Sequence, residues 1–350
     1  MSTILPTQSH PTASRTSSVV IGKTDPLSVV LRLAAMELYK LRRRKLSNVL
    51  IFLGLGAIII LFLAIFLIVN VEESLPVSSF AAAPTCSSTS TTSTCVSHPL
   101  PQATLAKRKQ TTIDGTSQNF QLPGSLFAVM ALAVITGFLT PLIIILTGAM
   151  VGGEYSFGTL RLIFTRGPTR IQFLLAKVLA TLICAALGLL AMAIVGLLLG
   201  YLLHFGVGSA FDLHFFKAAW LGHAFLYLLM GILGWFTFAM IAVFFGTLGR
   251  SITAAIVGGI IWIFIEPVLK ISLLLSANSF GSSIGNFLSA IPKYFISTNI
   301  DTLLQNQANF MQGTSVDAWS DLHALLIIAA YLVVTIGLSC WLTLKRDVTQ

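Results

Sequence analysis

Residues 49–69 read VLIFLGLGAIIILFLAIFLIV, a run from Val49 to Val69 without one charged side chain. A hydrocarbon core of about 30 Å takes about 20 apolar residues in helix, so this run is long enough to cross a bilayer. It is too long for a cleavable signal, and 48 residues precede it where a signal has only a short basic stub.

Five more such stretches follow. The second fills Ser125 to Gly153, within the charge-free interval between Asp114 and Glu154; the third lies between Lys177 and Asp212; the fourth lies between Lys217 and Arg250. The fifth runs from Ser251 to Ser276 with Glu266 inside it, and the sixth from Leu322 to Leu344. The composition agrees: of 350 residues 55% are hydrophobic and only 9% charged, and the mean hydropathy is +0.89. A domain that presents a polar shell to water does not have that make-up. The sequence therefore predicts an all-α integral membrane protein with six transmembrane helices.

Six crossings put both termini on one side, and the distribution of Lys and Arg chooses the side. With the termini inside, the inner segments hold Arg15, Lys23, Arg32, Lys40, Arg42 to Lys45, Arg161, Arg166, Arg170, Lys177, Arg250, Lys345 and Arg346, which is 15 of the 21 basic residues. The outer segments hold Lys107, Arg108, Lys109, Lys217, Lys270 and Lys293. The expectation is a multi-pass protein of the cell membrane with cytoplasmic N- and C-termini. The net charge of +9 then sits beside anionic headgroups, and a nucleic-acid partner is not implied.

Outside the crossings, residues 1–23 are rich in Ser, Thr and Pro and read as a disordered cytoplasmic tail. Residues 24–46 read as an amphipathic connecting helix at the interface. Thr24-Asp25-Pro26 is a start signal, Leu27, Val30, Ala34, Leu38 and Leu41 share a face, and Arg32, Lys40 and Arg43 lie opposite. A six-span domain over 47–344 and a cytoplasmic tail over 345–350 complete the division. Of the two long outer segments, about 71–122 has too little apolar content for a core, whereas about 277–320 has apolar bursts broken by Gly285 and Pro292 that suit short helices at the outer leaflet. Cys86 and Cys95 bracket a polar run in the first of these, on the oxidising side, and are expected to form a local disulfide. Cys184 and Cys340 fall within spans as small apolar side chains.

The segment joining spans two and three is the richest in chemistry. Gly167-Pro168 forces a turn, Thr169 and Gln172 form a capping box for the third helix, and Phe157 to Phe164 leaves room for a short helix with Glu154 before it and arginines along and after it. A bare turn suffices to link two spans. The extra helix reads as a docking surface for another protein, against the plainer alternative of a positive anchor with Glu154 paired to an arginine.

The string GEYSFGTLRLIFTRGPTRIQFLLAKVLA at 153–180, with MELYKLRRRK at 36–45, LGRSITAAIVGG at 248–259, WIFIEPVL at 262–269 and LKRDV at 344–348, resembles the type-two ABC transporter permease family. The resemblance covers most of the chain and is weak over about 71–122. It implies a permease subunit without enzymatic activity of its own that pairs with a second permease, as a homo- or heterodimer, and uses ATP and Mg bound by separate ABC ATPase subunits. It also implies that the segment after span two is a coupling helix seated on the ATPase. Glu154, Phe157, Gly158, Thr159, Leu160, Arg161, Thr165 and Arg166 would belong to that contact, and Arg250 to a second cytoplasmic turn. Consistently, no G-x-x-x-x-G-K-[ST] phosphate loop occurs in the chain. The expected function is an exporter permease, with a hydrophobic or amphipathic cargo suited to its apolar walls.

Glu266, followed by Pro267, is an intramembrane acid near the outer end of span five. Such a group reads as a hinge or a partner of Lys270, or alternatively as a substrate or gate contact. Pro141 reads as a kink in span two. His204, His214, His223 and His323 all fall near the outer face with spacings that match no compact ligand motif, so neither a metal site nor an intramembrane enzyme is expected. An ATP-independent secondary transporter would spread ionisable residues over several spans, and here Glu266 stands nearly alone. A non-transporting membrane scaffold or sensor would keep the docking helix without a continuous path.

Overall fold

The structure, a computed structural model, describes residues 25–80, 85–89, 92–96, 101–156, 169–207, 216–279, 282–312 and 321–345. The tail expected over 1–23, the residues Phe157, Gly158, Thr159, Leu160, Arg161, Thr165 and Arg166 of the expected coupling helix, His214 and the tail beyond Lys345 lie outside these residues.

Five helices are long and apolar enough to cross a membrane. They are α2 (Lys45–Ser74), α6 (Arg170–Val207), α7 (Ala218–Gly249), α8 (Ile252–Ser279) and α11 (Asp321–Lys345). A sixth is present if a helix pair bent by 78°, Gln102–Phe120 with Leu122–Ile135, is one crossing. Around these, α1 (Pro26–Arg43) precedes α2, α3 (Gln102–Ser117), α4 (Leu122–Met130) and α5 (Thr140–Ser156) lie between α2 and α6, and α9 (Ser282–Ala290) and α10 (Ile296–Gln312) separate α8 from α11. The only strands among the described residues are β1 (Thr85–Thr89) and β2 (Thr92–Val96), an antiparallel pair whose register sets Cys86 opposite Cys95. The side chains of the expected disulfide pair lie outside the described residues.

Burial ranks the long helices. In α7 the most apolar window is 61% buried within the protein, whereas those of α2, α8 and α11 are each 17% buried. Thus α7 is the central post, α5 and α8 pack on it and on each other, and α10 and α11 cover another side. The outer helices turn Leu, Ile, Val and Phe side chains outward along their length, the distribution expected where lipid is the solvent.

The expected second span is not one helix. After α4 the chain tightens into a π turn over Ala131–Ile135, in which Thr136 N donates to Ala131 O at 2.8 Å, and Gly137 then takes a left-handed conformation with φ +67° that glycine adopts without steric cost. The break leaves the Ala133 carbonyl without its helical partner. Trp235 Nε1 donates to it at 3.0 Å and Thr140 Oγ1 at 3.2 Å, which closes the gap inside the bundle. Pro141 lies just beyond this break and does not itself bend a continuous helix. It occupies the first turn of α5, where its missing N–H has no partner to lose.

The segment about 71–122, expected on the outer side, also has more structure than its polarity predicts. Helix α3 is held against α2 by Lys109 Nζ, which donates to Glu73 O and Leu75 O at 2.7 Å and so satisfies carbonyls at the end of α2. The later segment does contain short helices, α9 and α10, with α10 burying Ile296, Ile300, Leu303 and Leu304. Thr169 and Gln172 cap α6 reciprocally: Thr169 N donates to Gln172 Oε1 at 3.0 Å and Gln172 N to Thr169 Oγ1 at 3.3 Å.

Candidate functional site

Helix α1 starts at Pro26 as the start signal requires, but its buried stripe is Ala34, Glu37 and Leu41, while Leu27 is exposed. Glu37 falls three residues after Ala34 and four before Leu41, so a carboxylate shares the face that packs on α6. It is not alone there. Lys177, eight residues into α6, is 1% exposed and lies between Glu154 and Glu37, with Nζ 3.1 Å from Glu154 Oε2 and 3.5 Å from Glu37 Oε2. Lys40 closes the figure from the rim, 3.0 Å from Glu37 Oε1 and 3.3 Å from Glu154 Oε1.

The result is a closed square of two acids and two bases on three helices, α1, α5 and α6. Lys177 also donates to Met150 O at 2.9 Å and lies 4.8 Å from the Phe173 ring centroid. Two charges of each sign make the square neutral, the condition under which charges are tolerated away from water. Burial raises the Glu37 pKa, but the Lys177 charge and the hydrogen bond from Lys40 outweigh it and hold the carboxyl below its ordinary range. At Lys40 burial acts to lower the pKa, yet its hydrogen bond to Glu37 and the two carboxylates raise it. Glu37 and Lys40 are thus favoured in their charged forms by their neighbours in the square.

The same end of the molecule carries the second predicted turn. Arg250, between α7 and α8, is the only non-glycine residue with positive φ among those described, at +50°. Gly152 lies against this turn: a Cβ there would meet the backbone of Ile252 at 2.6 Å, and one on Gly148 would meet Ile256 Cγ1 at 2.8 Å. Small residues four apart on α5 therefore let it approach α8 closely. Arg44 Nη1 donates to Ala149 O at 3.2 Å and Arg170 Nη1 to Thr343 O at 3.3 Å, so the start of α2, the end of α5, the start of α6 and the end of α11 share this face. The structure thus brings Glu154 and the Arg250 turn to one end of the bundle.

Glu266, about midway along α8, is 5% exposed. Its Oε1 accepts the Ser297 N–H at 2.9 Å, so it caps the first turn of α10 from another helix. No ion pair with Lys270 forms among the described residues; the observed partner is a helix terminus. Pro267 leaves α8 continuous through to Ser279. Asp301 on α10 is half-buried, and burial pushes its carboxyl up to about 7 against the Lys270 charge and with that of Glu266. The histidines are dispersed: His223 Nδ1 is 2.8 Å from Gln307 Oε1 and stacks on Phe310, and His323 lies edge-on to Tyr294. No group of three or more His, Cys, Asp or Glu suited to a metal occurs among the described residues.

Glu37, Lys40 and Lys177 were not among the residues that sequence reasoning assigned to a site. A signal existed for two of them. Glu37 stands at the apolar spacing of α1, and Lys177 is a lone cation well inside an apolar helix, where a charge is costly and points to a partner.

Residues 103–349 match the model of a family described as protein of unknown function, DUF2705. The chain belongs to this family. The matched part of this DUF2705 protein contains Glu154, Lys177, Arg250 and Glu266, while α1 and α2, with Glu37 and Lys40, precede it. No curated protein matches the chain.

Proposed function

We propose that this DUF2705 protein is the membrane-embedded permease subunit of an ATP-driven ABC-type exporter. In this reading it crosses the cell membrane six times, with α4, the 131–135 turn and α5 together making the second crossing, α1 at the cytoplasmic interface and both termini cytoplasmic. Residues 157–168 are the coupling segment on a separate ATPase, to which ATP and Mg bind, and a second permease completes the pathway.

The observation that carries the reading is the buried ionic square at the root of that segment. A surface anchor for headgroups needs no buried charges, and buried ion pairs are poor sources of stability. They do fix relative positions. The square clamps α1, α5 and α6 at the two points where residues 157–168 leave α5 and rejoin α6, so a push on that segment moves three helices as one body. Closure of an ATPase dimer is such a push. The resemblance of residues 153–180 to the type-two permeases and the lack of a phosphate loop support the same assignment.

The test is purification of the chain from its native membrane in mild detergent. An ATP-binding-cassette protein is expected to co-purify, and Arg161→Glu with Arg166→Glu is expected to release it while the permease stays folded. Reproducible purification without any such ATPase refutes the assignment.

A further inference from the structure

A cleft of about 370 Å³ opens at the side of the bundle between α1, α2, α5 and α6, and Trp235 of α7 forms its floor. Its walls are almost wholly apolar, with Leu50 and Leu55 on one side and Leu187 and Met192 on the other. The volume is that of a small-ligand pocket. At its basic end the lining changes to Arg42 and Ser47.

Arg42 belongs to the run Arg42 to Lys45, and the four charges are not equivalent. Arg43 is engaged with Tyr39, donating to its hydroxyl at 2.9 Å with the guanidinium carbon 5.3 Å from the ring centroid, and Arg44 donates to Ala149 O. Arg42 and Lys45 have no hydrogen-bond or ion-pair partner among the described residues. One end of an apolar cleft thus carries an unneutralised guanidinium, and a helix 17% buried borders the opening.

We propose that this cleft binds one anionic phospholipid from the leaflet at the Arg42 end, its phosphate on Arg42 and an acyl chain between α2 and α6. The occupant follows from charge and shape together. A guanidinium binds phosphate through paired N–H donors, an acyl chain matches an apolar slot without polar demands, and a membrane supplies both in one molecule. A helix of a second copy would fill the slot but leave Arg42 unanswered.

The measurement is native mass spectrometry of the full chain released from nanodiscs of equal parts phosphatidylglycerol and phosphatidylcholine. One phosphatidylglycerol is expected to remain bound in preference to phosphatidylcholine. Arg42→Gln is expected to lower its retention about five-fold, the effect of one basic side chain on an anionic lipid, whereas Arg32→Gln, which removes an exposed charge of α1 that does not line the cleft, leaves it unchanged. Ala191→Phe narrows the slot and is expected to abolish retention. Leu187→Gln, at a side chain 61% exposed, repeats that test with less demand on packing. Equal retention of both lipids, an equal loss with Arg32→Gln, or a cysteine cross-link at Leu187→Cys that joins two copies and displaces the lipid overturns the proposal.

Discussion

Replacing Lys177 by Met tests the ionic square most directly. Met keeps the length and the contact with Phe173 but removes the ammonium, and with it two ion pairs and the hydrogen bond to Met150 O. Glu37 and Glu154 then share Lys40 alone, leaving one buried negative charge in excess. Removing one partner of a buried pair costs about 3–5 kcal/mol. Protonation sets a ceiling: at pH 7, neutralising a carboxyl of ordinary pKa near 4.5 costs about 3.4 kcal/mol at 1.36 kcal/mol per pH unit. The loss at pH 7 is therefore about 3 kcal/mol, a fall in Tm of about 6 °C at roughly 2 °C per kcal/mol. At pH 5.5 the same ceiling is about 1.4 kcal/mol, so the gap between variant and wild type should shrink by half or more. Lys177→Met with Glu154→Gln removes the excess charge and should recover most of the stability at pH 7. The assay is thermal unfolding in one detergent, followed by intrinsic fluorescence at both pH values. A Lys177→Met protein as stable as wild type at pH 7, or a double variant less stable than the single one, refutes the account of a mutually neutralising square.

Other outcomes follow from features away from the square. Gly152→Val sets a side chain against the Ile252 backbone and should cost about 1–3 kcal/mol by overpacking, whereas Gly337→Ala, with nothing within 4 Å, should leave Tm unchanged or raise it. Arg250→Val puts a β-branched residue at φ +50° and should cost about 1–2 kcal/mol, while Arg250→Gly should not. Glu266→Leu removes the acceptor of the Ser297 N–H and should speed hydrogen exchange in the first turn of α10 at a cost of about 1–2 kcal/mol; Glu266→Gln, which keeps an acceptor, should not. Asp301, with a folded value of about 7 against an ordinary 3.8, binds more protons in the folded than in the unfolded chain between those values. Stability should accordingly fall as pH rises through that window, and Asp301→Asn should flatten the slope of Tm against pH.

The long helices were legible because run length against bilayer thickness is a strong constraint: α7 and α11 lie within a residue or two of their expected bounds. The capping box at Thr169 was legible for the same reason, being local chemistry. The break in the second span was not, since Gly137 lies in a charge-free stretch where apolar character persists on both sides. What stabilises the break is Trp235, nearly a hundred residues away in sequence, and no local pattern announces that bond. The site divided along the same line. Glu154 and Arg250 were singled out through motif order, and Glu37 and Lys177 each carried a local signal, but that these two and Glu154 pair with one another is set across helices and leaves no trace in spacing. Glu266 stood out as an intramembrane acid, while its partner, the N-terminus of α10, offers only backbone and so has no side-chain signature.

The interruption at Gly137 bears on how displacement passes through the bundle. A helix conveys axial motion because every turn is bonded to the next, and between residues 135 and 140 that ladder is cut. Below the cut, α5 is a short rod keyed to α8 through Gly148 and Gly152 and to α1 and α6 through the ion pairs of Glu154 with Lys40 and Lys177. Above it, the strut from Leu122 to Ile135 keeps its own course. Besides the chain itself, the two are tied at the oxygen of Ala133, gripped by the indole of the central helix and by the hydroxyl at the top of the rod. In the proposed coupling, a load applied at Glu154 would reach the far side as tilt about a fulcrum on α7 instead of as a thrust.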